Sequence, residues 1–279
     1  MTAKITPPSV SVQYRRTGTS TKANEFGMRT MQERAYAKRG EQYLLIKSPP
    51  ASGKSRALMF IALDKLNNQG IKQAIIVVPE KSIGGSFADE PLSKFGYFYD
   101  WKVEPQWNLC NAPGADDVRV AKSKVKAVGE FLASSDKILV CTHATFRFAV
   151  EELGIEAFDG RLIAVDEFHH VSANGDNVLG RQLGDFMERD KVHIVAMTGS
   201  YFRGDAVPVL VPEDEIKFET VTYTYYEQLN GYAYLKALDL SYSFYSGRYT
   251  EAARPASPRE ARRAAERGAL GPKNRLQTR

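Results

Sequence analysis

From residue 43 onward the chain alternates between short unbroken apolar runs and longer segments whose apolar residues recur three and four apart. Tyr43–Lys47 (YLLIK) is such a run, the pattern of a strand buried on both faces. Residues 54–69 place apolar side chains at 57, 58, 61, 62 and 66, which is helical spacing, and Gly70 ends the helix. Ala74–Val78 (AIIVV) is a second buried strand, closed by Pro79. The same reading predicts helices over 118–134, 145–153 and Val178–Arg189, and strands over 137–141, 161–165 and 192–197. Strands separated by helices form parallel βαβ units, so the expected fold is a three-layer α/β structure with a mostly parallel sheet.

Both ends differ in character. Residues 1–25 are polar, with Pro7-Pro8 and a Thr/Ser/Gly run at 17–21, and read as a loose arm. Residues 218–226 and 240–245 alternate like strands around a helix-like stretch, and eight of the 14 tyrosines lie between Tyr223 and Tyr249. Residues 248–279 are Ala/Arg/Pro-rich with few large apolar side chains. They are open to three readings: a disordered basic tail, the foreign ending of an interrupted gene, or an arm that binds nucleic acid. The expected organisation is an arm at 1–25, one lobe at 26–247 and a tail at 248–279.

Composition narrows the class. With 279 residues, 43% hydrophobic and 25% charged, the chain is long enough for a core and is not globally disordered. The net charge of +5 is misleading. Residues 248–279 hold nine basic and three acidic side chains, or +6, so the other 247 residues carry −1, and the basic balance describes the tail without showing that the folded part binds polyanions. No apolar run is long enough to span a membrane, and 1–16 lacks the apolar stretch of a secretory signal. Two cysteines, Cys110 and Cys141, exclude a disulfide framework and fit a cytoplasmic setting.

The sharpest chemical feature is Ser48-Pro49-Pro50-Ala51-Ser52-Gly53-Lys54-Ser55, set between the YLLIK strand and an amphipathic helix. A phosphate-binding loop needs that setting, because backbone N–H groups at a helix start wrap the phosphates. Gly53 allows close approach, Lys54 neutralises the β/γ oxygens, and the Ser55 hydroxyl is placed to ligate Mg²⁺. Ser48 stands where the general pattern has its first glycine. The second feature is Leu162-Ile-Ala-Val-Asp166-Glu167-Phe-His169, an apolar strand running into two acids. Beside a phosphate loop, Asp166 is placed to hold Mg²⁺ and Glu167 to orient an attacking water. His143, His169, His170 and the cysteines lack the spacings of a zinc site.

Taken in order, these motifs resemble the first RecA-like lobe of a superfamily 2 helicase of the DEAD/DEAH-box type, nearest the type III restriction-enzyme ATPase domains. SPPASGKS resembles motif I and VDEFHH motif II. Arg29-Thr-Met-Gln32 is similar to the element whose glutamine reads the adenine edge. Val77-Val-Pro79 resembles motif Ia. Cys141-Thr142-His-Ala-Thr145 resembles the threonine element that touches the nucleic-acid backbone, with Arg147 nearby. Met197-Thr198-Gly-Ser200 followed by Tyr-Phe-Arg-Gly-Asp205 resembles motif III, with Ser200 for the second threonine and Tyr201 for the proline.

The resemblance implies ATP and Mg²⁺ as ligands, hydrolysis through Glu167 and Lys54, and coupling through His169, Thr198 and Ser200. It also implies nucleic acid as partner, DNA ahead of RNA, and a second RecA-like lobe or partner chain to complete the cleft. After Asp205 only 74 residues remain, too few for that lobe and its arginine finger, so the expectation is an incomplete helicase that hydrolyses ATP poorly and does not unwind alone. The alternative functions are a non-hydrolysing, nucleotide-dependent interaction module or a P-loop kinase. The aromatic cluster Phe95, Tyr97, Phe98, Tyr99, Trp101 and Trp107 is expected to fill core in preference to stacking on bases.

Overall fold

The computed structural model describes residues 9–15, 24–79, 84–110, 118–168, 178–199, 212–231 and 237–243. The chain divides into two units, Thr17–Tyr234 and a smaller one made of Met1–Arg16 with Leu235–Arg279.

Within the smaller unit, strand β1 (Ser9–Arg15) pairs antiparallel with strand β8 (Ala237–Ser243), from Ser9 opposite Ser243 to Arg15 opposite Ala237. Composition pointed to a loose arm at 1–25, and part of that segment is a strand whose partner lies more than 200 residues away. A long-range pairing of this kind leaves no local signature. Residues 248–279 lie outside the described residues.

The larger unit is built on a six-stranded sheet. Its strands are β2 (Tyr43–Lys47), β3 (Ala74–Val78), β4 (Ile138–Thr142), β5 (Leu162–Val165), β6 (His193–Thr198) and β7 (Glu219–Thr222). The order is β4-β3-β5-β6-β2-β7, and every neighbouring pair is parallel. The registers keep the carboxyl ends level: Lys47 lies opposite Thr198, Val78 opposite Thr142, and Val77 opposite Val165.

Helices cover both faces. Leu44 and Ile46 face one core with helix α1 (Thr30–Ala37) and helix α2 (Lys54–Asn68). Tyr43 and Leu45 face the other, with Phe131, Phe146 and Phe186 from α3 (Val118–Ala133), α4 (His143–Leu153) and α5 (Val178–Arg189). Two short helices follow, α6 (Pro212–Glu215) and α7 (Tyr225–Gly231). Among the described residues no helix is long and apolar enough to cross a membrane.

Helix α2 runs through the core with Ala57–Lys65 continuously buried. Lys65 is fully buried and donates to the Glu41 carbonyl (2.7 Å) and to Nδ1 of His193 (2.8 Å). A buried ammonium needs such acceptors. The aromatic cluster divides between two environments. Tyr97, Trp101 and Trp107 are core, with Tyr97 donating to Phe60 O, Trp101 to Phe87 O and Trp107 to an Asp136 carboxylate oxygen, whereas Phe98 is 65% exposed.

Burial, followed by the charge of Lys65, pushes the His193 imidazole down to about 4, and burial pushes the Lys65 ammonium down to about 8. The unfolded chain therefore binds a proton at His193 that the folded chain refuses between about pH 6.5 and 4. Folding stability gains this contribution above that window and loses it as pH falls through it. His193→Gln, whose amide oxygen still accepts from Lys65, is expected to flatten that part of the thermal-midpoint curve. Parallel curves for parent and variant would contradict this.

Candidate active site

The loop after β2 is held in place at several points. Ser48 N–H donates to Thr198 O (3.0 Å), tying the end of β2 to the end of β6. Pro49 to Ser52 form a turn closed by Ser52 N–H to Pro49 O (3.3 Å), with Ala51 at φ 61. Gly53 follows at φ 93, a conformation that other residues adopt only with strain, and a Cβ there would lie 2.6 Å from Gln32 Nε2 and displace that amide. Ser48 Oγ donates to Ser52 Oγ at 2.6 Å. Lys54 is 8% exposed, and its Nζ donates to Ser48 O (3.1 Å) and Pro49 O (3.3 Å).

Helix α2 starts at Lys54 with no side-chain cap and no acidic residue in its first turn. Its first N–H groups and the positive end of its dipole are therefore available to an anion, and the ammonium is already beside them. These features fit a polyphosphate.

Strand β5 delivers the acids. Asp166 N–H donates to Val77 O (2.9 Å), and Asp166 Oδ1 accepts from Glu167 N–H (2.9 Å), with Glu167 at φ 49. Asp166 is 4% exposed, and burial together with the charge of Glu167 raises its carboxyl to about 6 against the pull of Lys54. Lys54 is in turn lowered by burial and drawn back by Glu167 and Asp166. One cation and two carboxylates thus share one poorly solvated site.

Asp166 and the half-buried Ser55 supply hard oxygen donors of the kind Mg²⁺ takes. Among the described residues no group of three or more His, Cys, Asp and Glu could hold a metal by itself. A Mg²⁺ ion that takes most of its ligands from phosphates and water needs no such cage.

Several other expected residues gather at the loop. Gln32 Oε1 accepts from Arg29 N–H (2.8 Å), capping α1, and its Nε2 donates to Gly53 O (3.1 Å). Arg29 Nη1 makes a long contact with Ala51 O (3.4 Å). Thr198 is fully buried at the end of β6. Pro79 and Thr142 lie further along the sheet, where β3 and β4 end. Thr142 caps α4 by accepting from Thr145 N–H (3.2 Å), and His143 Nε2 lies 3.1 Å from Asp166 O. The Arg147 guanidinium stacks on Phe148. His169 and Ser200 lie outside the described residues.

Helix α7 was not anticipated at this loop. Gln228 Nε2 donates to Pro50 O (3.0 Å). Thr224 and Glu227 form a capping box, with Glu227 N–H to Thr224 Oγ1 (3.2 Å) and Thr224 N–H to Glu227 Oε2 (2.8 Å). The Thr-x-x-Glu spacing marks that helix start in the sequence, but only tertiary packing places Gln228 on the loop. A cavity of about 250 Å³ opens beside it, over the carboxyl ends of β2, β6 and β7.

Residues 29–204 match the DEAD/DEAH box helicase family. The chain belongs to that family. Its parallel sheet, with the lysine loop after β2 and the acid pair after β5, is the RecA-like lobe of such proteins. The chain is 55% identical over 243 residues to "Putative ATP-dependent helicase YeeB" of Bacillus subtilis (strain 168), a match covering 87% of this chain and 39% of that protein. It therefore spans about two fifths of that relative's length. Similar solved structures include the UvsW helicase from Bacteriophage T4, with TM-score 0.43, 15% identity, and 70% of this chain and 60% of that one covered. Another is a nuclease-deletion mutant of the Type ISP restriction-modification enzyme LlaGI in complex with a DNA substrate mimic, with TM-score 0.43, 13% identity and coverage of 72% and 20%.

Lys54 supplies the positive charge inside this backbone cradle. Lys54→Ala is expected to weaken binding of a fluorescent ATP analogue with Mg²⁺ at least about tenfold, ~1.4 kcal/mol. Equal affinity of variant and parent would contradict the assignment of the loop.

Proposed function

We propose that this chain is the nucleotide-binding first lobe of an ATP-dependent, helicase-type motor acting on nucleic acid, with DNA ahead of RNA. The observation that carries the reading is the buried Lys54 ammonium, held on loop carbonyls and sharing its poorly solvated site with Asp166 and Glu167. In this reading Lys54 and the N–H groups starting α2 bind the β- and γ-phosphates. Asp166 and Ser55 would hold Mg²⁺, which when bound neutralises phosphate charge and polarises the transferring group.

Glu167 orients the attacking water and accepts its proton. Gln32 reads adenine: its amide keeps one N–H and one lone pair beyond the bonds to Arg29 and Gly53, enough for the adenine edge. Thr198, joined to the loop through Ser48, passes the nucleotide state along β6 together with His169 and Ser200. Pro79 and Thr142, at the ends of β3 and β4, and Thr145 and Arg147, at the start of α4, meet the nucleic-acid backbone.

The matched region is a first lobe. In the family that this chain resembles, a second lobe brings the arginine that stabilises the transition state, worth ~10³–10⁵ in rate. Assayed by itself the chain is expected to bind ATP, turn it over slowly and leave duplexes unopened.

Glu167→Gln tests the assignment. A group that acts only at the transition state affects turnover and spares ground-state binding. The variant should bind ATP like the parent and lose the residual hydrolysis, measured as phosphate release with single-stranded DNA present. Parallel loss of affinity and rate would reject the role given to Glu167.

A further inference from the structure

We infer that Gln228 is a positioning residue for the phosphate loop, holding the Pro50–Ala51 peptide in the one orientation that presents the Ala51 N–H to the nucleotide. The inference rests on the nucleotide-binding reading above and extends it to the segment that follows β7.

Three observations support it. The turn from Pro49 to Ser52 has proline second and a positive φ third, the arrangement of a type II turn. That third residue is alanine, which occupies the left-handed region only at a cost that glycine escapes. Turning the central peptide over would give a type I turn and relieve Ala51, so the loop has a ready alternative. Gln228 opposes that alternative directly: its amide donates at 3.0 Å to the carbonyl of the very peptide that would flip.

In a planar trans peptide the C=O and N–H point in opposite directions. With Pro50 O turned to α7, the Ala51 N–H faces away from α7. The preceding carbonyls of Ser48 and Pro49 are turned to Lys54 instead.

Gln228 has little freedom of its own. It is 2% exposed, and the turn of helix carrying it is fastened to α1. Arg34 donates to Thr222 O (2.7 Å) and pairs with Glu227 (2.7 Å), the acid that closes the capping box. The shape of the phosphate loop is thereby made conditional on the seating of α7, the last helix described before the chain leaves this unit. A displacement of that helix would release the peptide and lower nucleotide affinity without touching any residue of motif I.

The test is a rescue experiment on the full chain, using a fluorescent ATP analogue with Mg²⁺. Loss of one hydrogen bond of ordinary strength predicts about fivefold weaker binding for Gln228→Ala. Adding Ala51→Gly removes the conformational cost, so the double variant should return to within about twofold of the Ala51→Gly single variant. Gln228→Glu, which offers the Pro50 carbonyl no donor, should lose at least as much as Gln228→Ala.

Unchanged binding by Gln228→Ala overturns the inference. So does a loss that Ala51→Gly fails to rescue, because general loosening of α7 would be indifferent to the backbone freedom of residue 51. A parent chain that binds no nucleotide overturns the reading of the site, and this inference with it.

Discussion

Every strand of the six-stranded sheet runs in the same direction, and the layout of the larger unit follows from that constraint. Parallel pairing brings all the carboxyl ends to one edge, so segments distant in sequence emerge side by side. The hydrogen bond from Ser48 N–H to Thr198 O is the local expression of this, joining the loop after β2 to the end of β6. Asp166 is placed in the same way, by its N–H on Val77 O across the β3–β5 pair. The site is assembled by sheet register, and its loops have only short distances left to cover.

Charge then decides what the assembled edge can do. Burial alone would push Lys54 toward neutrality and Asp166 toward protonation. Glu167 and Asp166 draw the ammonium part of the way back, and the Ser48 and Pro49 carbonyls accept its hydrogen bonds, while Asp166 is pushed further up by the Glu167 charge and drawn back by the Glu167 N–H and by Lys54. A nucleotide phosphate would give Lys54 a further anionic partner, and a cation would lower the Asp166 carboxyl. The site is built from groups whose charges become easier to carry once ligand and metal arrive.

Much of this was legible in the sequence because its signals are local. Tyr43–Lys47, Ala74–Val78 and Val178–Arg189 have the bounds that apolar continuity and helical spacing predict. Gly70, at φ 72, follows the end of α2. Ser48, Pro79, Thr142, Asp166 and Thr198 stand at strand ends, as the order of the motifs implied, whereas Arg29 and Gln32 belong to the start of α1. Where the sequence reading fell short, the missing information was non-local. Strand β1 has a partner more than 200 residues away. The expected strand over 218–226 stops at Thr222, because the Thr224–Glu227 capping box starts a helix there. Thr142, read as a backbone-binding hydroxyl, also caps α4. Gln228 carries no motif at all, and its role depends on which backbone carbonyl happens to lie beneath it.

We propose that residues 48–55 and the acids after β5 form one polyphosphate site. Amide hydrogen exchange across the chain, with and without Mg²⁺ and a non-hydrolysable ATP analogue, tests it most directly. Slowed exchange is predicted in the loop, the first turn of α2 and the Asp166–Glu167 turn together, while adenosine, which has the base and no phosphate, leaves the loop as it was. Protection elsewhere in the lobe with residues 48–55 unchanged, or equal protection by adenosine, would contradict it.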